Sequence, residues 1–408
     1  MSEQRASMLD KTSSRVDTLR KRNNETGSLS MSMTALPKVS VAAVQASPVF
    51  LDLKASLDKL ESLVSEAAKG GAELVVFGEA FLAGFPVWNA VLAPIDQHDL
   101  HERLVAESIV VPGAETERLG RIARDHGVVL SVGVNERNPN SFGQLWNSNL
   151  IFDATGRLVN HRRKLVATYY ERLTWSHGDA HDLKPAELGG WNLGALICGE
   201  NTNTLARFTL LAQSERLHIA TYPPAWPFDG RTENFDYDLA ENIRLRSAAH
   251  AFEGKVFVIV AATTLDDVAI REVAQGDSRI EKALTASPPV SMVIGPDGQF
   301  VAGPLREPEG ILYAEVDLQK EVIAKRAHDI VGTYNRADIF NLSVDMQRHT
   351  IFQSRGHGDR VANGSANGSA NDDRTDPRHV HHSAQDEVES HHLSQSEVQN
   401  LSHLKHTS

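Results

Sequence analysis

The sequence predicts an α/β fold in which mixed β-sheets are covered by helices, and three observations predict it. Apolar runs of strand length alternate with stripes of helical period along most of the chain. Short links rich in Gly and Asp separate them, the punctuation expected of repeated strand–helix units. Two strand pairs are joined across tight turns, Asp153-Ala154-Thr155-Gly156 and Pro296-Asp297-Gly298. Hairpin-linked neighbours run antiparallel, so the sheets must be mixed rather than purely parallel.

Each element follows from local pattern. Residues 39–46 read as a buried strand. Leu53, Leu57, Leu60, Val64 and Ala67 recur at helical spacing, and Gly70-Gly71 stops that helix. Residues 73–77 give a second strand, residues 115–126 a helix stopped by Gly127, and residues 128–134 a third strand. A hairpin-like pair follows at 146–152 and 157–161. Further on, 205–215 reads as a helix, 217–222 as a strand, and 236–253 as a helix leading through Gly254 into a strand at 256–262. Strands at 290–294, 299–302 and 311–316 complete the pattern.

The flanks differ from this body, which is assigned to residues 38–353. Residues 1–37 are rich in Ser, Thr, Arg and Lys, carry no periodic stripe and lack the apolar core of a secretory signal. Glu3, Asp10, Asp17 and Glu25 count against an acid-poor mitochondrial leader, so a disordered extension is expected. Residues 362–369 repeat Ala-Asn-Gly-Ser, and eight of the 18 histidines fall within 357–406. A tail of this composition cannot bury a core and is expected to be disordered from residue 354 to 408, its histidines offering at most weak divalent-metal binding.

Bulk composition bounds the partners. The formal net charge is −12. The first 38 residues carry seven basic and four acidic groups, and residues 354–408 five and eight, so the flanks cancel and the body holds the whole deficit. That disfavours nucleic acid or an anionic membrane as partner. With 41% hydrophobic and 23% charged residues, and no apolar run of spanning length, a soluble enzyme is expected. A single cysteine fits a reducing compartment, hence a cytoplasmic location.

That cysteine, Cys198, ends the apolar run Leu193-Gly194-Ala195-Leu196-Ile197 and precedes Gly199-Glu200-Asn201. A strand that stops at a nucleophile before a glycine is the sequence form of a sharp strand-to-helix turn, which lifts the thiol above the sheet edge. A buried cysteine acting as small apolar filler is the alternative. Three other groups follow strands in the order a cysteine hydrolase needs: Glu79 in Phe77-Gly78-Glu79-Ala80-Phe81, Lys164 in His161-Arg162-Arg163-Lys164, and Glu171 in Tyr170-Glu171-Arg172. A carboxylate can take the thiol proton and later activate water, and an ammonium can stabilise a developing negative charge. Taken singly, a strand-end Glu or a Lys in a basic run is ordinary solvated surface.

With these motifs the chain resembles the nitrilase superfamily of carbon–nitrogen hydrolases, most closely its nitrilase branch, over about residues 39 to 345. Further likeness lies in Gly84-Phe85-Pro86, Trp175 to Asp179, Leu205-Ala206-Arg207-Phe208, Thr221-Tyr222-Pro223-Pro224-Ala225-Trp226-Pro227, Glu253-Gly254-Lys255-Val256-Phe257 and Tyr334-Asn335-Arg336. The resemblance implies Cys198 as nucleophile, Glu79 as general base, Lys164 as transition-state stabiliser and Glu171 as a second, orienting carboxylate. It also implies an α-β-β-α sandwich with two mixed sheets, a four-layer core on dimerisation, and homo-oligomers that extend into spirals or filaments. Neither metal nor organic cofactor is implied. Gly199, Ala167 and Thr333 stand where the family often has Trp, Pro and His, and Gly199 is expected to re-shape the pocket floor. Phe85, Trp88 and Trp226 are expected to border the substrate's acyl group, with ordinary core packing as the alternative.

The implied activity is hydrolysis of an organic nitrile to acid and ammonia. A cyanide hydratase, or an amidase or carbamoylase, would use the same four residues, and a scaffold that only oligomerises would need none of them. A metal-dependent enzyme or binding module is the rival from another class: Asp96, His98, Asp99 and His101 lie close enough in sequence to ligate a divalent ion, although a helix face explains them equally.

Overall fold

The computed structural model describes residues 35–226 and 237–348. The expected disordered segments (residues 1–34 of the extension and the tail at 354–408) lie outside the described residues, as do Pro227 and Asp236.

Two six-stranded mixed sheets form the centre. The first runs β12-β1-β2-β3-β4-β5, comprising β1 (Lys38–Gln45), β2 (Leu74–Phe77), β3 (Val129–Asn138), β4 (Ser141–Phe152), β5 (Leu158–Arg163) and β12 (Gly310–Asp317). The second runs β11-β10-β9-β8-β7-β6, comprising β6 (Ala186–Glu187), β7 (Asn192–Ile197), β8 (Leu217–Tyr222), β9 (Phe257–Ala262), β10 (Ser291–Ile294) and β11 (Phe300–Leu305). In each sheet three central strands are parallel and the outer ones antiparallel, as the hairpin links require.

The period-two alternation of the strands explains the layering. Val39, Val41 and Ala43 of β1 face Leu193, Ile219, Phe257 and Ile259 of the other sheet, making the inter-sheet core. Ala42 and Val44 face outward and are covered by Leu57, Leu60, Val64, Leu119 and Ile122 of the helices Leu53–Lys69 and Ala114–His126. On the far side, Ala220, Tyr222, Val258 and Val260 are covered by Leu239, Ile243 and Ala251 of the helix Leu239–Gly254. The expected four layers are therefore complete within one chain.

Helix ends obey the local signals. Asp52 caps Leu53–Lys69 by accepting from the Ala55 N–H at 2.8 Å, and Gly127 ends Ala114–His126 in the left-handed region at φ 67°. The helix expected at 205–215 stops at Ala212; Ser214 turns at φ 68° and sends Glu215 inward. Five short helices among the described residues were not expected: His98–Ala106, Asp267–Ala274, Ser278–Thr285, Lys320–Ala327 and the single turn Trp88–Val91. Asp96, His98, Asp99 and His101 lie along the first of these and the 3₁₀ turn Pro94–Asp96 before it.

Candidate active site

Two arms of the site, those of Cys198 and Glu79, leave strand ends through backbone turns of restricted conformation, and a third such turn precedes Glu171. Ile197 closes β7, Cys198 sits at φ 51°, and a 3₁₀ turn (Cys198–Thr202) leads into the helix Thr204–Ala212. This is the sharp turn read from the sequence. Ala80, just after Glu79, sits at φ 49°, and Tyr169, before Tyr170-Glu171, at φ 48°. Non-glycine residues at positive φ are costly and persist only where the surroundings hold them, as at functional sites.

The Glu79 arm is clamped between the sheets. Its N–H donates to the Tyr222 carbonyl at 3.3 Å, and the Thr263 hydroxyl donates to its carbonyl at 3.1 Å. Gly78 fits only because it lacks a side chain: a Cβ there would lie 2.2 Å from the Thr263 nitrogen. Gly78→Ala must therefore push the sheets apart at this point, with an expected loss of about 1–3 kcal/mol or more and a marked fall in activity. Thermal unfolding and a rate assay check both; an unperturbed variant would contradict the clamp.

The structure brings together Glu79, Lys164, Glu171 and Cys198. The Lys164 Nζ donates to Glu79 Oε1 at 2.7 Å and to Glu171 Oε2 at 2.6 Å. Carboxylate oxygens of Glu79 and Glu171 and the Cys198 Sγ all lie within 4.8 Å of one another. Asn147 donates to Glu79 Oε1 at 2.7 Å, and the Thr168 N–H donates to Glu171 Oε2 at 2.8 Å. The second oxygens, Glu79 Oε2 and Glu171 Oε1, are buried with no hydrogen-bond partner among the described residues. Glu79 and Glu171 are fully buried, whereas Cys198 keeps 6% exposure.

Burial dominates the electrostatics. It drives the Glu79 carboxyl up to about 7, with Lys164 pulling down and Glu171 pushing up. It drives the Cys198 thiol well above the ordinary range, reinforced by Glu79 and opposed by Lys164. For Lys164 burial acts the other way, but Glu171, Glu79 and Cys198 outweigh it and hold the ammonium well above its usual value. The resting site is thus a neutral thiol beside a charged amine and a carboxyl poised to exchange a proton near neutrality.

The other sequence-predicted residues divide. Trp226 packs against the apolar cluster that contains Cys198, and its ring lies 4.8 Å from the Tyr170 ring. Phe85 and Trp88 are interior: Phe85 packs edge-on against Trp175, and Trp88 against Phe50. Gly199 is closely packed, since a Cβ there would meet the Thr168 hydroxyl at 3.0 Å. Asp96, His98, Asp99 and His101 are not brought together: among the described residues only Glu79/Glu171/Cys198 and Glu215/His218/His250 gather three potential ligand atoms.

Sequence reasoning missed Asn147, Thr168 and Tyr170. The Tyr170 hydroxyl is buried with no hydrogen-bond partner among the described residues, and its pKa is pushed well above the usual value by burial and by the Glu171, Cys198 and Glu79 charges. Its position beside Glu171 was the available signal. Glu200 was missed as well: it accepts from Arg162 at 2.5 Å and from the N–H groups of Leu165 at 2.5 Å and Ile197 at 2.9 Å, tying the Lys164 arm to the Cys198 arm.

Comparison with known proteins agrees with this architecture. The carbon-nitrogen hydrolase family profile matches residues 40–325. A nitrilase of Paraburkholderia phymatum is 36% identical over 309 residues, covering 75% of this chain and 86% of that protein. An aliphatic nitrilase of Rhodococcus rhodochrous is 35% identical, covering 76% and 83%. The crystal structure of a carbon-nitrogen hydrolase from Helicobacter pylori G27 superposes with a TM-score of 0.57 at 19% identity, covering 74% of this chain and 97% of that one, a likeness of fold. By profile, by curated relatives and by fold, the chain belongs to the carbon–nitrogen hydrolase family, the nitrilase superfamily.

Proposed function

We propose that this enzyme is a nitrilase, converting an organic nitrile and two waters to a carboxylic acid and ammonia. One observation carries the reading: a lysine bridging two fully buried glutamates within reach of the only thiol. The names of the relatives, nitrilase and aliphatic nitrilase, favour a nitrile over an amide as substrate.

In this mechanism Glu79 takes the Cys198 proton as sulfur bonds to the nitrile carbon, and returns it to nitrogen, giving a thioimidate. Lys164, helped by the Gly199 N–H, stabilises the nitrogen-bearing end, and Glu171 holds Lys164 in place. Water delivered by Glu79 adds to that carbon, the C–N bond breaks, and ammonia leaves a thioester. A second water activated by Glu79 breaks the C–S bond, releasing the acid and restoring the thiol. Trp226 and Tyr170 border the substrate, with Phe85, Trp88 and Gly199 shaping the wall behind. Incubation with a panel of aliphatic, arylacetic and aromatic nitriles, with acid, ammonia and amide all quantified, tests this. Acid with equimolar ammonia is expected; amide as sole product would make the enzyme a hydratase, and turnover of amides alone an amidase.

The base must be ionised to act. With the Glu79 carboxyl at about 7, kcat/KM is expected to fall as pH drops through that value. The Asn147 amide lowers this pKa by its hydrogen bond, so Asn147→Ala should move the acid limb to higher pH. A limb that stays in place or moves down would remove Glu79 from the role.

The domain plan proposed is a catalytic body at 38–353 between two non-catalytic flanks, working as a homo-oligomer in the cytoplasm. Among the described residues no helix is long and apolar enough to cross a membrane. Sizing of the whole chain and of a form lacking 354–408 tests the assembly.

A further inference from the structure

We infer that a buried hydrogen-bond chain, Glu215–His218–Asn201, sets the aim of the Cys198 thiol, and that His218 is a positioning residue for the reaction. The inference rests on Cys198 being the nucleophile. None of the three residues belongs to the four-residue site, and all are buried.

The chain can be followed by donor and acceptor alone. The Asn201 Nδ2 lies 3.2 Å from the Leu196 carbonyl and 3.0 Å from the Cys198 carbonyl. Both carbonyls only accept, so this end of the amide is the NH₂ and its Oδ1 points the other way. That Oδ1 lies 2.9 Å from His218 Nε2, which must therefore carry a proton. His218 Nδ1 lies 2.7 Å from Glu215 Oε1. Burial would raise the Glu215 carboxyl, but His218 and His250 outweigh it and hold it at about 2, so this oxygen accepts. His218 is thus held at both ring nitrogens, between the Glu215 carboxylate and the Asn201 amide oxygen.

His250 completes the balance. Its Nε2 donates to Glu215 Oε2 at 2.8 Å, and its Nδ1 has no partner among the described residues. Burial, with His218 adding to it, holds this ring at about 4, so it is neutral. The Glu215 carboxylate thus meets one histidine at each oxygen.

The geometry of the turn gives this chain a task. Cys198 is held at φ 51°, a conformation that a non-glycine residue leaves unless restrained. Asn201 grips the carbonyls on either side of the strand end, while Glu200 grips the Ile197 N–H. Among the described residues, His218 is the side chain that orients Asn201. Gly194 fits the same account. It pairs with His218 across β7 and β8, and a Cβ there would lie 1.7 Å from Glu215 Oε1. The strand carries a glycine where the carboxylate needs the room.

Because Cys198 is the only cysteine, alkylation of the native protein by iodoacetamide reads its placement directly and needs no substrate. His218→Leu is expected to slow alkylation and kcat by about tenfold or more while KM moves less than about twofold. His218→Gln, which can still donate to Asn201, should recover part of both. Gly194→Ala, which displaces the flexible end of Glu215 rather than backbone, should reproduce the defect more mildly and keeps the test alive if His218→Leu does not fold. Asn201→Ala combined with His218→Leu should be no worse than Asn201→Ala alone, since both act on one path. Ile219→Ala, on the same strand but facing the inter-sheet core, is the control: it should lower Tm and leave alkylation and kcat per folded molecule unchanged.

Unchanged alkylation and kcat in folded His218→Leu, equal losses in Ile219→Ala, or additive losses in the double variant would each overturn the inference. A different nucleophile would show itself separately, as turnover surviving in Cys198→Ala.

Discussion

Cys198→Ala loses nitrile turnover by on the order of 10⁴–10⁶-fold, the scale on which removal of a covalent nucleophile acts. Stability should hardly change. Alanine keeps the Cβ, leaves a void of one sulfur, and tolerates the left-handed backbone, as Ala80 does at φ 49° in the neighbouring arm. The lost packing amounts to about 1 kcal/mol. There is a compensating term, because the thiol sits where burial and Glu79 both oppose its ionisation, so no favourable charge interaction is removed with it. Acid and ammonia release measures the first effect and thermal unfolding the second. Mass spectrometry of acid-quenched enzyme separates chemistry from binding: wild-type enzyme should carry an acyl or imidate adduct on its one cysteine, and the variant none. Turnover near the wild-type rate would end the thioimidate scheme.

What could be read beforehand was what is encoded locally. Apart from the two-residue edge strand β6, the strands of both sheets were legible because residues such as Val39, Val41 and Ala43 alternate with Ala42 and Val44, and the two sets serve different cores. The turn at Cys198 was legible because its apolar strand, its glycine and its lone thiol are contiguous. Partners far apart in sequence were not. Asn147 meets Glu79 across 68 positions and His250 meets Glu215 across 35, and no periodicity marks either. Glu215 was misplaced at the end of a helix because its apolar neighbours continue the stripe; the chain instead turns at Ser214. The histidines of that cluster were invisible as a pair for the same reason. Conversely, His98 and His101 are close in sequence and sit on one helix, yet nothing else that binds metal converges on them among the described residues. The helices Asp267–Ala274 and Ser278–Thr285 are two turns each, too short for a stripe to stand out from noise.

Lys164→Met is the second large effect, and it separates the electrostatic role of the amine from its bulk. Methionine preserves most of the buried volume, so the change is one of charge. In the wild-type chain Glu79 and Glu171 each have one oxygen on the Lys164 ammonium, and each keeps only one other hydrogen bond on that oxygen, from Asn147 and from the Thr168 N–H. Without the cation two carboxyl groups face each other in the interior, and leaving a buried charge without its partner costs about 3–5 kcal/mol. Turnover should fall on the order of 10²–10³-fold or more, since the stabilising charge on the nitrogen is gone and the base can no longer ionise readily. The pH dependence fixes the cause. Lys164 lowers the Glu79 pKa, so its removal sends that carboxyl above 7. A group whose pKa is raised on folding contributes stability below its unfolded pKa and loses it as pH rises through the folded one. The variant should therefore lie closest to wild type near pH 5 and fall furthest behind near pH 8. Adding Glu79→Gln should restore part of the stability at pH 8, because one of the two opposed carboxylates is then gone, while turnover stays absent. Thermal unfolding of the two variants across that range decides the matter: a pH-independent loss would mean that Lys164 holds the site by packing, and a single variant as stable as wild type at pH 8 would mean that the bridge between the glutamates does not hold it at all.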